Sequence, residues 1–233
     1  MSHSPIRVVG TYYGRALVNE NDPFQGAPLI KTGLAMDHTA MMHVRARLGK
    51  IDPGVIIDVG AHIGIWTLAL ANYAAQIHAF EPQPFICNML AGSVALNCLQ
   101  HVEIHDCLLG RDRGFRPLPH FSYELPGNFG SIEFGEGGQR ENIGQHQLPS
   151  VRQVPMFRLD EFGFDNVKFL KIDVEGMENE VLDGALLTIE RNRIPLMLVE
   201  FLKSDTGALA CRLEGLGYKV VDLIAASFLC ERI

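Results

Sequence analysis

The sequence lacks the usual marks of a secreted, disulfide-bonded or membrane-spanning protein. Its five cysteines form no CxxC pair and are odd in number, so we expect neither a disulfide framework nor a structural zinc site. There is no uninterrupted apolar run of about 18 residues, the length that predicts a membrane-spanning helix. The first residues, MSHSPIRVVGTYYG, lack the apolar core of a signal peptide. Together these absences predict a cytoplasmic, reducing location.

Positive charge is also scarce. Lys and Arg number 20 against 27 Asp and Glu, which gives a formal net charge of −7. A non-specific nucleic-acid binder usually presents a basic face, so we expect no nucleic-acid partner. The remaining composition, with 47% hydrophobic and 20% charged residues over 233 positions, is typical of one globular domain with a full core.

From Val55 onward the sequence alternates between strand-like and helix-like segments. The predicted strands are VIIDV, QIHAFE, VEIHDCLL, VKFLKID and IPLMLVEF, and helical patterns lie between them, including MENEVLDGALLTIER as one helix. Such alternation predicts an α/β fold with right-handed crossovers and a doubly wound sheet. YKVVDLI and SFLCER, joined by Ala225 and Ala226, predict a closing antiparallel hairpin.

Two regions depart from this rhythm within what we expect to be a single domain over residues 1–233. Residues 1–50 form a predicted N-terminal extension, with a hairpin in GTYYGRALVNENDPFQGAP and a helix in DHTAMMHVRARLG that Asp37 and Gly49 would cap. The Met41–Met42 pair and Trp66 are predicted core residues. Residues 110–150 form a glycine-rich insertion with short strands in SIEF and VPMFRLD. We expect the substrate surface in these two regions, because long irregular segments of compact domains are often functional.

The strongest local motif is DVGAHIG, at the end of the first strand of the alternation. Gly60 and Gly64 allow a sharp turn beside a ligand, and Glu81, at the end of the next strand, is placed to bind ribose hydroxyls. A nicotinamide cofactor would favour G-x-G-x-x-G, whereas His62 replaces the middle glycine here. Asp58 would repel a pyrophosphate but could help hold a cationic amino-acid group, directly or through water. The motif therefore favours S-adenosylmethionine.

Four segments together resemble the FkbM family of S-adenosylmethionine-dependent methyltransferases: VIIDVGAHIGIWTLALA, AFEPQP, LKIDVEGMENEVLDGA and LMLVEF, in order across about residues 53–203. The resemblance implies a class I methyltransferase fold, a Rossmann-like three-layer sandwich whose mostly parallel seven-stranded sheet has a C-terminal antiparallel strand. The family's usual chemistry is O-methylation, often of sugar or polyketide hydroxyls.

The resemblance also implies which residues would bind the cofactor. The expected set is Asp58, Gly60, Ala61, His62, Gly64, Glu81 and Asp106. The first five would form the loop on the methionine side, although His62 stands where the family often has Asn. Glu81 would bind the ribose, and Asp106 would contact the adenine amino group or else be a surface acid at a strand end.

The segment KIDVEGMENE carries the candidate catalytic residues, Lys171, Asp173 and Glu175. Because the carboxyl ends of parallel strands share one edge of the sheet, Asp173 is expected beside the methyl group, where it could position an acceptor hydroxyl or take its proton. Glu178 and Glu180 are predicted to start a helix, where acids complement the dipole. A core stripe follows, formed by Val181, Leu182, Ala185 and Ile189.

A second possibility at this edge is a divalent cation with Asp173 and Glu200 as ligands. Because these donors are oxygen atoms, the expected ion is Mg²⁺. The sequence shows no third ligand, and Lys171 or Lys203 could assist an acid without metal, so we assign no metal residues and favour metal-independent chemistry. The spacings of His38 with His43 and of His101 with His105 do not predict a metal site. Two histidines of the insertion are further candidate bases, His120 and His146.

The leading hypothesis is an O-methyltransferase that acts on a hydroxyl of a small-molecule, carbohydrate or polyketide-like acceptor. The alternatives are a nicotinamide-dependent oxidoreductase, a non-catalytic cofactor-binding module with the same fold, and a nucleic-acid methyltransferase. The acidic charge and the absence of an NPPY-like amide-methylating motif disfavour the last of these.

Overall fold

A computed structural model of the protein describes residues 4–134 and 147–233. The strands in these ranges are β1 (Ile6–Thr11), β2 (Gly14–Asn19), β3 (Val55–Val59), β4 (Gln76–Phe80), β5 (Val102–His105), β6 (Leu108–Leu109), β7 (Gly114–Phe121), β8 (Gln147–Phe157), β9 (Val167–Ile172), β10 (Leu196–Glu200), β11 (Tyr218–Ile224) and β12 (Ser227–Arg232). The helices are α1 (Gly26–Thr32), α2 (His38–Leu48), α3 (Ile65–Leu70), α4 (Pro84–Leu96), α5 (Glu178–Asp183), α6 (Leu186–Asn192) and α7 (Thr206–Gly215).

The central sheet has seven strands in the order β11-β12-β10-β9-β3-β4-β5. Neighbouring strands from β10 to β5 are parallel, and β12 runs antiparallel to both β10 and β11. The predicted fold class and its C-terminal hairpin are therefore confirmed. The hairpin turns at Ala225 and Ala226, whose φ angles of 48° and 58° give the left-handed geometry of a tight two-residue turn.

Helices cover both faces of the sheet because successive strand residues point to opposite sides. Ile56 packs in a core with Met41 of α2, residues of α3 and the start of α4. Ile57 packs in a second core with Val181 of α5 and residues of α6 and α7. The result is the predicted three-layer sandwich.

The N-terminal residues pack against the layer that contains α4. The predicted hairpin is present as β1 and β2, and the backbone N–H of Leu17 donates to Ser93 Oγ of α4 at 3.0 Å. Of the predicted core methionines, Met41 is buried, but Met42 is exposed, so that half of the prediction is wrong. Successive residues of an α-helix are rotated by about 100°, so these neighbours lie on different faces of α2.

The insertion contributes a small three-stranded sheet in the order β6-β8-β7. VPMF forms the end of β8, which begins earlier than the sequence predicts. The predicted strand SIEF is wrong, because residues 131–134 have no regular secondary structure and instead lie over the cleft described below. His146 lies outside the described residues.

The predicted helix MENEVLDGALLTIER is divided into α5 and α6. A Cβ atom at Gly184 would lie 2.0 Å from the carbonyl oxygen of Gly110, so the close approach of these two backbones accompanies the break. The predicted stripe of Val181, Leu182, Ala185 and Ile189 is buried as expected.

Within residues 4–134 and 147–233, no helix has both the length and the apolar character needed to cross a bilayer. The cysteines all lie in the described ranges, where they are free thiols: Cys87, Cys98, Cys107, Cys211 and Cys230.

Candidate active site

Two adjoining cavities lie at the carboxyl edge of the central sheet. The first is a cleft of about 660 Å³, including space that is open to solvent, between the loops that follow β3 and β4 and a cover formed by Gly130, Ile132 and Phe134. The second, about 1050 Å³ and likewise including solvent-open space, extends toward α2, α3 and the end of β10. Asp173 and Glu175 line both cavities, so the loop after β9 forms the boundary between them.

Gly60 allows the loop after β3 to touch the loop after β9. Its φ is +76°, and a Cβ atom there would lie 1.8 Å from the carbonyl oxygen of Asp173. An L side chain would be strained at this φ and would also push Asp173 away. Gly64, with φ +89°, begins α3 in the same left-handed region. Ala61 lies between them and faces a small cavity beside Trp66.

His62 also has a left-handed backbone, with φ 50°. Its backbone N–H donates to Glu81 Oε2 at 2.9 Å, while both ring nitrogens are buried and make no hydrogen bond within the described part of the chain. Burial lowers the pKa of His62, against the raising effect of Asp22 and Asp173. An uncharged imidazole with two unused polar atoms therefore faces the first cavity.

Glu81 is fixed at the end of β4 by backbone donors. Its second carboxylate oxygen, Oε1, accepts from the N–H of Gln83 at 2.9 Å. Burial raises the pKa of Glu81 to about 7, although these hydrogen bonds act in the opposite direction. Gln83 in turn donates to the carbonyl of Phe129 and accepts from the Tyr123 hydroxyl, which links Glu81 to the cover of the cleft.

Lys171 is a buried cation beneath the cleft, with only 2% of its side chain exposed. Its Nζ lies 3.2 Å from Asp173 Oδ2, 3.4 Å from Asp58 Oδ1 and 3.0 Å from the carbonyl oxygen of Gly60. Burial alone would lower the pKa of Lys171, but Asp173 and Asp58 raise it overall, so the group is a fixed ammonium. Asp58 itself is 1% exposed and accepts from the Thr67 hydroxyl, so it holds Lys171 from below.

Three carboxylates meet at the boundary of the cavities. One oxygen each of Asp173, Glu175 and Glu200 lies within 4.8 Å of the others. Glu175 accepts from Ser131 Oγ at 3.2 Å and pairs with Lys203 Nζ at 3.0 Å. Its burial and the charge of Asp173 raise its pKa to about 7.

Glu178 differs from these acids. It begins α5, as predicted, and is fully buried, with Oε1 accepting from the N–H of Gly176 at 3.1 Å and Oε2 accepting from Ser204 Oγ. It therefore stabilises the turn that presents Asp173 and Glu175. Glu180 lies in the same first turn and is half-buried.

Asp37 is the site residue that the sequence misassigned. It occupies the position before α2, but its side chain makes no capping hydrogen bond. Its Oδ2 accepts from Trp66 Nε1, and Oδ1 makes no hydrogen bond among the described residues. Trp66 is buried as predicted, yet it also lines the second cavity with Asp37. Burial raises the pKa of Asp37.

Asp106 lies away from both main cavities. Its carboxylate is 44% exposed and is 3.7 Å from Arg152 Nη2, and it lines a separate surface depression with Phe162. The following residues, Cys107 and Leu108, line the first cavity instead. His120 is exposed and hydrogen-bonded to Ser150, in the three-stranded sheet rather than the cleft.

Glu200 should make stability depend on pH. It is 9% exposed and Oε2 makes no hydrogen bond within the described ranges. Burial and the neighbouring acids raise its pKa to about 10. Because the folded pKa exceeds the unfolded value, the stabilising contribution is complete below the unfolded pKa and is lost as pH rises toward the folded pKa.

We therefore expect Glu200→Gln to leave stability nearly unchanged at pH 5 and to raise the free energy of unfolding by about 3 kcal/mol at pH 8. Chemical denaturation at both pH values measures this difference. The exposed Glu214→Gln variant is the control, since it should show the parent's pH dependence. Equal effects of Glu200→Gln at the two pH values would contradict a raised pKa.

Comparisons with known proteins identify the family of this chain. Residues 58–220 match the family model of the Methyltransferase FkbM domain. Two curated proteins are each 31% identical to this chain: Methyltransferase 1 of Beauveria bassiana over 57% of the chain, and Methyltransferase sdnD of Sordaria araneosa over 55%. The matched parts cover 59% of the length of each relative.

Among solved structures, Methyltransferase FkbM from Methylobacillus flagellatus superposes with a TM-score of 0.54 and 16% identity, over 77% of this chain and 44% of that one. At that identity the likeness shows the fold alone. The family model covers most of the chain, including the β3, β4 and β9 loops that form the cleft. The chain belongs to the FkbM family of S-adenosylmethionine-dependent methyltransferases.

Proposed function

We propose that the protein is an O-methyltransferase that transfers the methyl group of S-adenosylmethionine to a hydroxyl of a small-molecule, carbohydrate or polyketide-like acceptor. The observation that carries the proposal is the meeting of two cavities at Asp173. One cavity has the features of a nucleoside site, and the other is large enough for a separate acceptor. Family membership argues against the nicotinamide-dependent oxidoreductase.

The first cavity would hold the cofactor. Glu81 is buried at the end of β4, and its oxygens retain lone pairs that can accept hydrogen bonds from two ribose hydroxyls. Gly60, Ala61 and Gly64 would let the loop after β3 approach the methionine part, and His62 offers unused ring nitrogens there. Asp58 would act through Lys171. Contact of Asp106 with the adenine stays a prediction.

At the boundary, Asp173 would orient the acceptor and remove its proton. S-adenosylmethionine bound there would supply the methyl group and leave as S-adenosylhomocysteine, while the proton of the acceptor hydroxyl would pass to a carboxylate. The fixed ammonium of Lys171 holds Asp173 Oδ2 at 3.2 Å, which leaves the other oxygen for the substrate. Glu175, with its pKa raised to about 7, is the second candidate base. Lys171 is a positioning residue because it stays protonated.

The lining of the second cavity favours an acceptor that carries several hydroxyls. The carboxyl groups of Asp37, Asp173, Glu175 and Glu200 can accept hydrogen bonds from hydroxyl donors, and Glu200, whose raised pKa keeps it protonated at neutral pH, can also donate one. Apolar atoms of Trp66 and neighbouring leucines can pack against the carbon faces of a sugar ring or polyketide. A small-molecule hydroxyl compound therefore fits the cavity better than an anionic polymer does.

The alternative is a divalent cation held by Asp173, Glu175 and Glu200. The sequence suggested only Asp173 and Glu200 as ligands, and an oxygen of Glu175 also lies within 4.8 Å of theirs. We favour the route without metal. Lys171 pairs with Asp173, and Lys203 pairs with Glu175, so two of the three acids already have a cationic partner. The comparisons do not address a cation.

Binding of S-adenosylmethionine tests the cofactor assignment. We expect titration calorimetry to show one bound molecule per chain, with Glu81→Gln weakening the affinity by about 10–100-fold, since hydrogen bonds to charged groups contribute about 1.5–3 kcal/mol. The exposed Glu214→Gln variant, on α7 away from the cleft, should bind like the parent protein. If the folded parent does not bind S-adenosylmethionine, the proposed function is wrong. If the parent binds and the Glu81→Gln variant keeps the parent's affinity, the ribose assignment alone is wrong.

A mass-shift screen of hydroxyl compounds then tests the reaction, because each transfer adds one methyl group to the acceptor. Cofactor binding without transfer to any hydroxyl acceptor would favour the non-catalytic binding module.

A further inference from the structure

A second group of ligand-type side chains lies on the outer part of the sheet. His78 is on β4, and Glu103 and His105 are on β5, the edge strand of the seven. The parallel register places His78 opposite Glu103, and Phe80 opposite His105. Since alternate strand residues share a face, all three side chains project to the same side.

The three groups converge on one point. His78 Nδ1 lies 3.0 Å from His105 Nε2, and the Glu103 carboxylate lies 3.6 Å from the first nitrogen and 4.0 Å from the second. Two nitrogens bound at about 2.05 Å to one tetrahedral Zn²⁺ are about 3.4 Å apart. The imidazoles therefore need to separate by only a few tenths of an ångström to admit an ion between them.

The two rings are held by aromatic neighbours rather than left mobile. The Phe80 ring stacks on His105 with centroids 4.3 Å apart, and the Phe164 ring lies 4.2 Å from His78. A ligand set whose rotamers are fixed by packing has little conformational entropy to lose when an ion binds. Glu103 is 57% exposed and gives the site access to solvent.

The two imidazoles share a hydrogen bond in this arrangement, between His78 Nδ1 and His105 Nε2. An ion bound between them would replace that hydrogen bond, and the imidazole that donates it would carry its proton on its other ring nitrogen.

We propose that His78, Glu103 and His105 form a binding site for a borderline divalent metal ion such as Zn²⁺. Two imidazoles and one carboxylate are a donor set that zinc accepts, with water completing the tetrahedron, whereas Mg²⁺ prefers oxygen donors. The ion would join β4 to the edge strand β5. Because Phe80 both stacks on His105 and lines the first cavity, the ion would also fix that wall of the cleft.

Titration of tag-free, metal-free protein with ZnCl₂ tests the site. We expect one ion to bind outside the cleft and to raise the melting temperature of the parent, because an ion that binds only the folded state stabilises it. Glu103→Gln and His105→Gln should each weaken Zn²⁺ binding by at least about tenfold and reduce the thermal shift. MgCl₂ should produce neither effect at this site.

His43→Gln is the matched control, since His43 is an exposed histidine that lies 3.1 Å from a single acid, Asp222. This variant should bind Zn²⁺ like the parent. Glu103→Gln changes an exposed side chain and so keeps the site testable if a buried histidine variant does not fold. The proposal is overturned if the parent binds no Zn²⁺ or if Glu103→Gln leaves the affinity unchanged. Loss of binding on Glu200→Gln, with Glu103→Gln unaffected, would assign the ion to the cleft instead.

Discussion

Asp173→Asn should lower the turnover number by about 10²–10⁴-fold, the range that a general base contributes, while leaving S-adenosylmethionine affinity within about threefold of the parent. The amide keeps the shape of the side chain but cannot accept the hydroxyl proton. Lys171 would still have Asp58 and the Gly60 carbonyl as partners, so the loop beneath the cofactor should stay in place. Single-turnover rates and titration calorimetry on the same preparation separate the two effects.

The control for this experiment is Asp165→Asn, which removes an aspartate that is 81% exposed and pairs only at the surface with Arg191. It should behave like the parent in both measurements. Normal turnover by Asp173→Asn would exclude Asp173 as the base and leave Glu175 as the candidate. If turnover of the parent falls with a chelator and returns with Mg²⁺, the three carboxylates hold a cation and the metal-independent route is wrong.

The features that could be read from sequence are those coded locally. A continuous apolar run followed by glycines predicts a strand, a sharp turn and a helix. This pattern correctly placed DVGAHIG at the edge of the sheet. The same local logic placed Asp173 at the carboxyl end of β9 and Glu178 at the start of α5. The mostly parallel seven-stranded sheet with its C-terminal antiparallel strand followed from the alternation together with the FkbM resemblance, whereas the order of the strands comes from the structure.

The features that sequence reasoning missed depend on contacts between distant segments. Asp37 has the sequence signature of a helix cap, but its side chain makes no hydrogen bond to the start of α2. It accepts instead from the indole N–H of Trp66, 29 positions away. His78 and His105 are 27 positions apart and meet only because β4 and β5 pair in one register. Spacing within one element cannot reveal such pairs. The break between α5 and α6 likewise depends on the distant Gly110 backbone.

Lys171→Met should lower the free energy of unfolding by about 3–5 kcal/mol, because removing one partner of a buried ion pair leaves the other charge uncompensated. Asp58 is the group left behind: it is 1% exposed, and its Oδ1 makes no hydrogen bond in the described ranges and lies 3.4 Å from the lysine Nζ. Methionine has a similar length, so the loss reflects charge more than volume. Denaturant titration measures it, with the half-buried Lys168→Met on the same strand as a near-neutral control.

A double-mutant cycle with Asp58→Asn decides whether charge is the cause. Asparagine at this position removes the uncompensated carboxylate, so the double variant should be more stable than the sum of the two single losses predicts, with a coupling energy of about 1–3 kcal/mol. Strictly additive losses would instead mean that Lys171 acts by filling space. Because Lys171 also holds Asp173 at 3.2 Å, turnover should remain low in the double variant even where stability recovers. The ammonium of Lys171 would then have two separable roles: it stabilises the fold by neutralising Asp58, and it supports catalysis by positioning Asp173.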